Sequence, residues 1–379
     1  MAKKSVLALL ALVLVFSGGC WDYRGLNELA IVAGMSIDKN PESGNYMLVF
    51  EVIDISGDIK EQGLQSILIE SEGNTLFDAT RNARKRILNK LYFGNMQTLV
   101  LSEELARNED IGGIIDWFLR STEFRETLAV VISQQKTARE IISTEGLIET
   151  VSSLEIQKSA KEDNQHTSST SYVELYNIYS TLKSRGKELT LPAIHITTND
   201  DKEVTELNGS AVFKGERLKG YLTPEESMYY LFAIGEVKGG ILTIPSRGDD
   251  KDNVSLEIAE NKTDKSFSYA NGKVTVEIKT DTTVILNEID EPFDALDIPR
   301  IFALEVAAQD KLEQNIGAVV KKVQEEYGSD IFGFGSMISK RDPALWKKLS
   351  ADWDRLFTEL EVKVKPKIRI VNSATVKAS

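Results

Sequence analysis

Thiol chemistry in this chain rests on one residue, Cys20. It follows Ser17-Gly18-Gly19, and these follow Lys3, Lys4 and an unbroken apolar run from Val6 to Phe16. A positive start, a short apolar stretch and small residues ahead of a cut are the layout of a secretory signal. As a helix the 11-residue run extends about 16 Å, well short of a hydrocarbon core of about 30 Å. A cysteine placed directly after the small residues can take a diacylglyceryl group through a thioether. Cleavage before it then leaves the lipid on a new N-terminus, where two acyl chains hold and one binds marginally. An ordinary secretory signal with an incidental cysteine is the other reading.

Other chemistry finds little material. One cysteine excludes an intrachain disulfide framework and a cysteine-based zinc site within one chain. The two histidines, His166 and His195, have no ligand set around them in sequence. Asp38, Asn40 and Glu42 alternate as in a calcium loop, but Ser43 and Val49 occupy the positions that need Gly and Glu. Gly235–Gly240 lacks the Gly-Lys-Ser/Thr ending of a phosphate loop, and a turn or linker between domains is the simpler account. There is no Gly-x-Ser-x-Gly elbow, His-Glu-x-x-His or dinucleotide fingerprint. Paired carboxylates are recognisable only in space. We therefore expect no cofactor, no metal and no enzyme.

Charge narrows the partners. The formal net charge is −13, which opposes the basic surface that nucleic-acid binding needs. Cleavage removes two lysines and no acid, taking −13 to −15. Such a body is repelled by an anionic leaflet, so a lipid, and not broad electrostatic attraction, is expected to hold it there.

Three stretches resemble one family. Cys20-Trp21-Asp22-Tyr23-Arg24 leads into Glu28-Leu29 and a strand ending Gly34-Met35-Ser36-Ile37-Asp38. Leu207-Asn208-Gly209-Ser210-Ala211-Val212-Phe213-Lys214 lies near the middle. Gly328-Ser329-Asp330-Ile331-Phe332-Gly333-Phe334-Gly335 is followed by Pro343, Trp346 and Trp353. Together they resemble the Ger(x)C family, the lipoprotein C subunits of spore germinant receptors in endospore-forming bacteria. Gly25 stands where that family usually has an acid. The resemblance implies lipidation at Cys20 and attachment to the outer face of the spore inner membrane. It also implies a complex with integral-membrane A and B subunits that responds to nutrient germinants. Trp21 and Asp22 would lie beside the acyl anchor, where Trp suits the headgroup boundary. A lipid-tethered solute-binding protein that captures the germinant itself is the alternative. It would place aromatics around a cleft between two lobes, which the scattered tryptophans fit poorly.

The elements that must position these residues read as α+β. Ile31–Asp38 and Tyr46–Ile55 form a hairpin, followed by a strand over 65–70. Asn74 is the expected N-cap of a helix carrying Leu76, Ala79, Ala83 and Ile87. Strands over 97–101 and 127–133 alternate with a helix over 111–119. Helices follow over 137–143, 146–161 and 172–183, with a polar loop over 161–171 containing His166. His195 alternates with apolar residues, as in a half-buried strand. A hairpin turns at Gly215, and Thr223-Pro224 opens a helix. A charged loop over 246–253 precedes strands over 254–259, 265–269 and 273–286, with a turn at Ala270-Asn271-Gly272 between the last two. A long helix over 299–327 stops at Gly328, and Asp342-Pro343 starts one whose tryptophans belong to the core. The expected organisation is a signal at 1–19, an N-terminal α/β domain at 20–145 and a middle domain at 146–235. A C-terminal domain at 236–379 would be mainly antiparallel sheet on a long helix. The whole is multidomain, with mixed and antiparallel β-sheets flanked by helices.

Two cationic features each allow two readings. Arg81, Arg84, Lys85 and Arg86 form either a solvated helix face or a dock for anionic lipid or an acidic partner. Lys363, Lys365, Lys367 and Arg369 alternate with Val362, Val364, Ile368 and Ile370 on the last strand. They either keep a sheet edge from pairing with other chains or offer a positive surface to the membrane or a partner.

Overall fold

The computed structural model describes residues 28–54, 64–246, 252–289 and 297–371. Two sheets organise them, and the α+β, mixed-sheet architecture is as expected. The larger sheet runs β3 (Gln65–Gly73), β2 (Tyr46–Asp54), β1 (Leu29–Lys39), β5 (Thr98–Ser102), β6 (Ala129–Ser133), β7 (Thr190–Asn199), β8 (Lys202–Lys214), β9 (Arg217–Leu222). A short β4 (Lys90–Tyr92) lies parallel to the start of β1. The central strands β1, β5, β6 and β7 are mutually parallel, and the outer pairs are antiparallel.

Both faces of the centre are covered, because every residue of β5 and β6 is buried. Their alternation assigns the faces. Leu99, Leu101, Val130 and Ile132 pack with helices α1 (Leu76–Ala83), α2 (Glu103–Asn108), α3 (Ile111–Arg120) and α6 (Leu175–Leu182). Val100 and Val131 face α4 (Ala138–Ser143) and α5 (Ser152–His166) on the other side.

The second sheet is β10 (Ile241–Pro245), β11 (Asp252–Ala270), β12 (Lys273–Ile289) and β13 (Glu361–Val371). It is antiparallel except for β13, which joins β12 in parallel at one edge. The long helix α8 (Ile298–Lys322) lays Leu304, Ala308, Leu312, Ile316, Val319 and Val320 on it. A turn of π-helix follows, and Gly328, at φ 54°, takes the left-handed stop. Helices α7 (Pro224–Ile234), α9 (Phe334–Arg341), α10 (Pro343–Leu349) and α11 (Trp353–Thr358) complete this core. Strands on both sides of position 146 share the larger sheet, and α7, ahead of position 236, buries its side chains in the second core.

Local caps form largely as expected. Thr223 and Glu226 make a capping box with Pro224 in the first turn, and the Asp342 carboxylate accepts from the Leu345 N–H at 2.9 Å. Four details differ. Thr75, not Asn74, caps α1, because its hydroxyl accepts from the Asp78 N–H; the helix also ends at Ala83, leaving Ile87 outside it. Helix α5 begins at Ser152 and runs through His166, and the polar residues beyond fold back on Asp163, which accepts from the Thr170 N–H and the Ser169 hydroxyl. Third, β11 is a single strand where two were expected; its polar middle stays paired, with Asn261 accepting from Thr282 across the ladder. Finally, the short elements β4, α2, β10 and α9 had no counterpart in the pattern reading. Of the expected loop over 246–253, residues 247–251 lie outside the described residues.

Candidate functional site

Cys20, Trp21 and Asp22 lie outside the described residues. The other predicted candidates share one edge. Lys363, Lys365, Lys367 and Arg369 are exposed along β13, and Val364 and Ile368 between them are buried. The edge itself is closed from the helix side. Gln309 and Glu305 of α8 accept from the N–H groups of Ile368 and Ile370, at 3.3 and 2.9 Å. Pro366, of the same parity, has no N–H to offer, so this border presents few free donors.

Acids answer much of the cationic row. Lys363 pairs with Glu361 at 3.3 Å and Arg369 with Asp281 at 3.3 Å, while Lys365 and Lys279 converge on Glu277. Those two lysines, Lys279 foremost, draw the half-buried Glu277 carboxyl down to about 2. Exposed pairs of this kind contribute little stability, but they cancel charge locally.

The densest polar construction lies in the Gly328–Gly335 stretch. Asp330 is buried, yet one carboxylate oxygen accepts from the Phe334 N–H at 3.0 Å. The other accepts from the Gly335 N–H at 2.8 Å and the Trp353 indole N–H at 3.1 Å. Burial outweighs these donors and lifts its pKa to about 6. Lys265, whose ammonium donates to the Phe332 carbonyl at 2.8 Å, is pushed down to about 8 by burial and by Lys187. Gly335 is required by close approach, since a Cβ there would lie 2.7 Å from the Trp353 indole nitrogen and 2.9 Å from the Gly186 Cα.

This stretch also ties the two units together. The Asp330 carbonyl accepts from the Glu188 N–H at 2.9 Å, and the Ser336 N–H donates to the Gly186 carbonyl at 2.7 Å. The Ser329 hydroxyl donates to the Phe213 carbonyl of β8. Tyr230 of α7 lies 3.1 Å from the Thr190 hydroxyl of β7 and packs edge-on against Phe332. Burial pushes the Tyr230 hydroxyl well above its ordinary pKa.

Two further buried acids do similar work inside the larger sheet. Asp38, next to the last residue of β1, accepts from the Ala138 and Arg139 N–H groups at the start of α4, at 2.7 and 3.1 Å. Burial raises its pKa despite those donors. Glu51, in the middle of β2, accepts from the Ser152 and Ser153 N–H groups at the start of α5, both at 2.8 Å. A helix N-terminus favours such a negative partner. Glu51 also accepts from the Ser66 hydroxyl of β3 at 2.9 Å, and these carboxylates act as joints between elements. His195 is half-buried on β7, 3.5 Å from Glu206, and His166 is exposed at the end of α5, 3.3 Å from Glu162.

Comparison with known proteins adds to this geometry. Residues 22–196 match a family model described as the spore germination protein N-terminal domain. Residues 208–374 match one described as spore germination B3/GerAC like, C-terminal. Spore germination protein KC of Bacillus subtilis (strain 168) is 27% identical over 388 residues, covering 96% of this chain and 95% of its own length. Spore germination protein B3 of the same organism is 23% identical over 386 residues, covering 99% and 98%. The crystal structure of the GerBC protein superimposes with a TM-score of 0.59 at 19% identity, covering 89% of this chain and 97% of that one. At that identity the superposition speaks for the fold alone.

Proposed function

The chain belongs to the GerAC-like family of spore germination proteins, and from that premise we propose that it is a lipid-anchored, non-enzymatic subunit of a nutrient germinant receptor. The observation that carries this reading is the tandem family match, which runs from residue 22 to residue 374 with one short gap. It begins two residues after Cys20, where the sequence places the acylated N-terminus. Among the described residues no helix is long and apolar enough to cross a membrane. On this reading the acyl group on Cys20 holds the body at the outer face of the spore inner membrane, beside integral-membrane A and B subunits. The subunit contributes to assembly and signalling by contacting those partners differently in the resting and triggered receptor. Only such a difference in contact free energy couples one site to another. The body would act as a rigid unit in this role, since the backbone bonds to Gly186 and Glu188, the Ser329 hydroxyl and Tyr230 tie its two sheets together.

Cys20→Ala in the parent sporulating cell tests the proposal, scored by acylation, membrane fractionation and nutrient-triggered germination together. The expected result is a chain that takes no lipid, leaves the membrane fraction and fails to support germination by the receptor's nutrient. Normal membrane retention and normal germination would overturn the anchor. Release from the membrane with undiminished germination by every nutrient would overturn the receptor role.

A further inference from the structure

The cationic cluster at the end of α1 stands in a different setting from the row on β13. Phe77, Arg81, Arg84, Lys90, Trp117 and Arg120 line an open cleft of about 530 Å³. Its floor is aromatic, with Phe124 packed at 4.7 Å from Phe93 and 5.2 Å from Trp117. The Arg81 guanidinium lies over the Phe77 ring at 4.9 Å. Acids reach only part of the rim: Asp116 holds Arg120 at 2.5 Å and Glu123 stands 3.9 Å from Lys90. Among the described residues no carboxylate lies within ion-pair distance of Arg81, Arg84 or Lys85. Around these cations, large apolar side chains face outward: Leu88 is 100% exposed, Phe77 56% and Tyr92 42%.

The cleft's place in the fold says what meets it. Leu29, the first residue of β1, pairs with Lys90, and Ile31 pairs with Tyr92. Leu29 is nine residues after Cys20, and whatever their path, nine residues reach at most about 30 Å. A lipid on Cys20 therefore keeps the bilayer within reach of the end of the molecule that carries the unpaired cations and the exposed Leu88. An otherwise anionic body can approach an anionic leaflet only through such a face. Basic residues with an apolar side chain among them are the composition that seats at a headgroup boundary.

We propose that the face formed by α1, the turn over 84–89 and β4 seats on the anionic phospholipid surface, orienting the tethered body on the membrane. Arg81, Arg84, Lys85 and Lys90 contact headgroup phosphates, and Leu88 enters the acyl boundary. The inference rests on the reading of Cys20 as the acylated residue. In the acylated chain that cysteine is a thioether, so Leu88→Cys supplies the only free thiol and takes an environment-sensitive dye. Co-sedimentation with phosphatidylcholine vesicles reports the tether alone. The dye on vesicles of phosphatidylcholine mixed with phosphatidylglycerol reports the seating.

The expected result is sedimentation with both vesicles but a shift of the dye to an apolar environment only on the anionic ones. The exposed double substitution Arg84→Gln/Lys85→Gln should lower the seated-to-unseated ratio about 30-fold, roughly fivefold for each cation near an anionic surface. It should leave co-sedimentation unchanged. A dye that stays in water on anionic vesicles overturns the proposal, as does an equal response in the double variant. Failure to sediment with neutral vesicles would instead refute the acyl reading of Cys20, and the seating would then be read on anionic vesicles with Cys20→Ser/Leu88→Cys, which carries the dye at residue 88 alone.

Discussion

Asp330→Asn is expected to destabilise the chain by about 3 kcal/mol at neutral pH, and by more in mild acid. The carboxylate receives three N–H donors on two oxygens. An amide has one accepting oxygen, so its NH₂ must face a donor that it cannot satisfy. Each buried donor left unmet costs about 1–3 kcal/mol. The affected donors are not incidental. Two begin helix α9 and the third is Trp353, whose ring packs on Trp346 at 5.3 Å. Intrinsic tryptophan fluorescence should therefore follow the loss during denaturant unfolding.

The pH dependence separates this account from a generic cavity effect. Burial holds Asp330 protonated up to about pH 6 in the folded chain, whereas an unfolded aspartate releases its proton near 4. Between those values the folded state binds more protons, so stability falls as pH rises. The group's stabilising share is complete below about pH 4 and is lost as pH rises through about 6. Asparagine has no such titration. The deficit of Asp330→Asn relative to wild type should thus be greater at about pH 5 than at about pH 7.5, by about 1 kcal/mol. Equal deficits at the two pH values would show that burial of this carboxyl is not what shapes the pH profile.

What was legible in the sequence was local. The hairpin of β1 and β2, the capping box at Thr223, the stop at Gly328 and the buried stripe of α8 follow from neighbours within a turn or two. The buried Trp346, Trp353 and Phe357 followed from helical spacing alone. Elements that break their own pattern were not legible. The middle of β11 is polar because its pairing is set by β12 opposite, and α5 extends through residues whose composition reads as loop. The three stretches that carried the family resemblance were visible as words without a meaning. Asp38, Gly34 and Asp330 meet groups that arrive from further along the chain: the Ala138 N–H, the Ser153 side chain and the Trp353 indole. One local signal did exist: Glu51 lies in Val49-Phe50-Glu51-Val52, a carboxylate in an otherwise apolar strand. Such an acid needs buried donors, and the start of α5 supplies them. The cleft beside Lys90 was half legible, since the basic run was evident but its adjacency to Leu29 depends on the parallel pairing of β4.

Gly34→Ala puts the same long-range logic to a second test. A Cβ at Gly34 would fall 1.9 Å from the Ser153 hydroxyl oxygen and 2.5 Å from the Ser153 Cβ, with the Thr98 carbonyl at 3.1 Å. The hydroxyl alone could rotate, but the Ser153 Cβ cannot move without its backbone. That backbone is pinned from below, because Glu51 accepts from the N–H groups of both Ser152 and Ser153. The Thr98 hydroxyl adds a further tie by donating to the Ser153 carbonyl at 2.7 Å. The added methyl must therefore lift the start of α5 off β1 or shift the strand, and overpacking of this kind costs about 1–3 kcal/mol. Lifting the helix also loosens the Glu51 clamp, so we expect the upper end of that range. Ser153→Gly removes both clashing atoms and should cost about 1 kcal/mol by itself, the ordinary helix penalty of glycine. Its hydroxyl has no partner among the described residues, so little hydrogen bonding is lost with it. The double variant Gly34→Ala/Ser153→Gly should then be about as stable as Ser153→Gly alone, a coupling of about 3 kcal/mol between residues in contact. Simple additivity in urea unfolding would mean that Gly34 is needed for its backbone and not for the approach of α5.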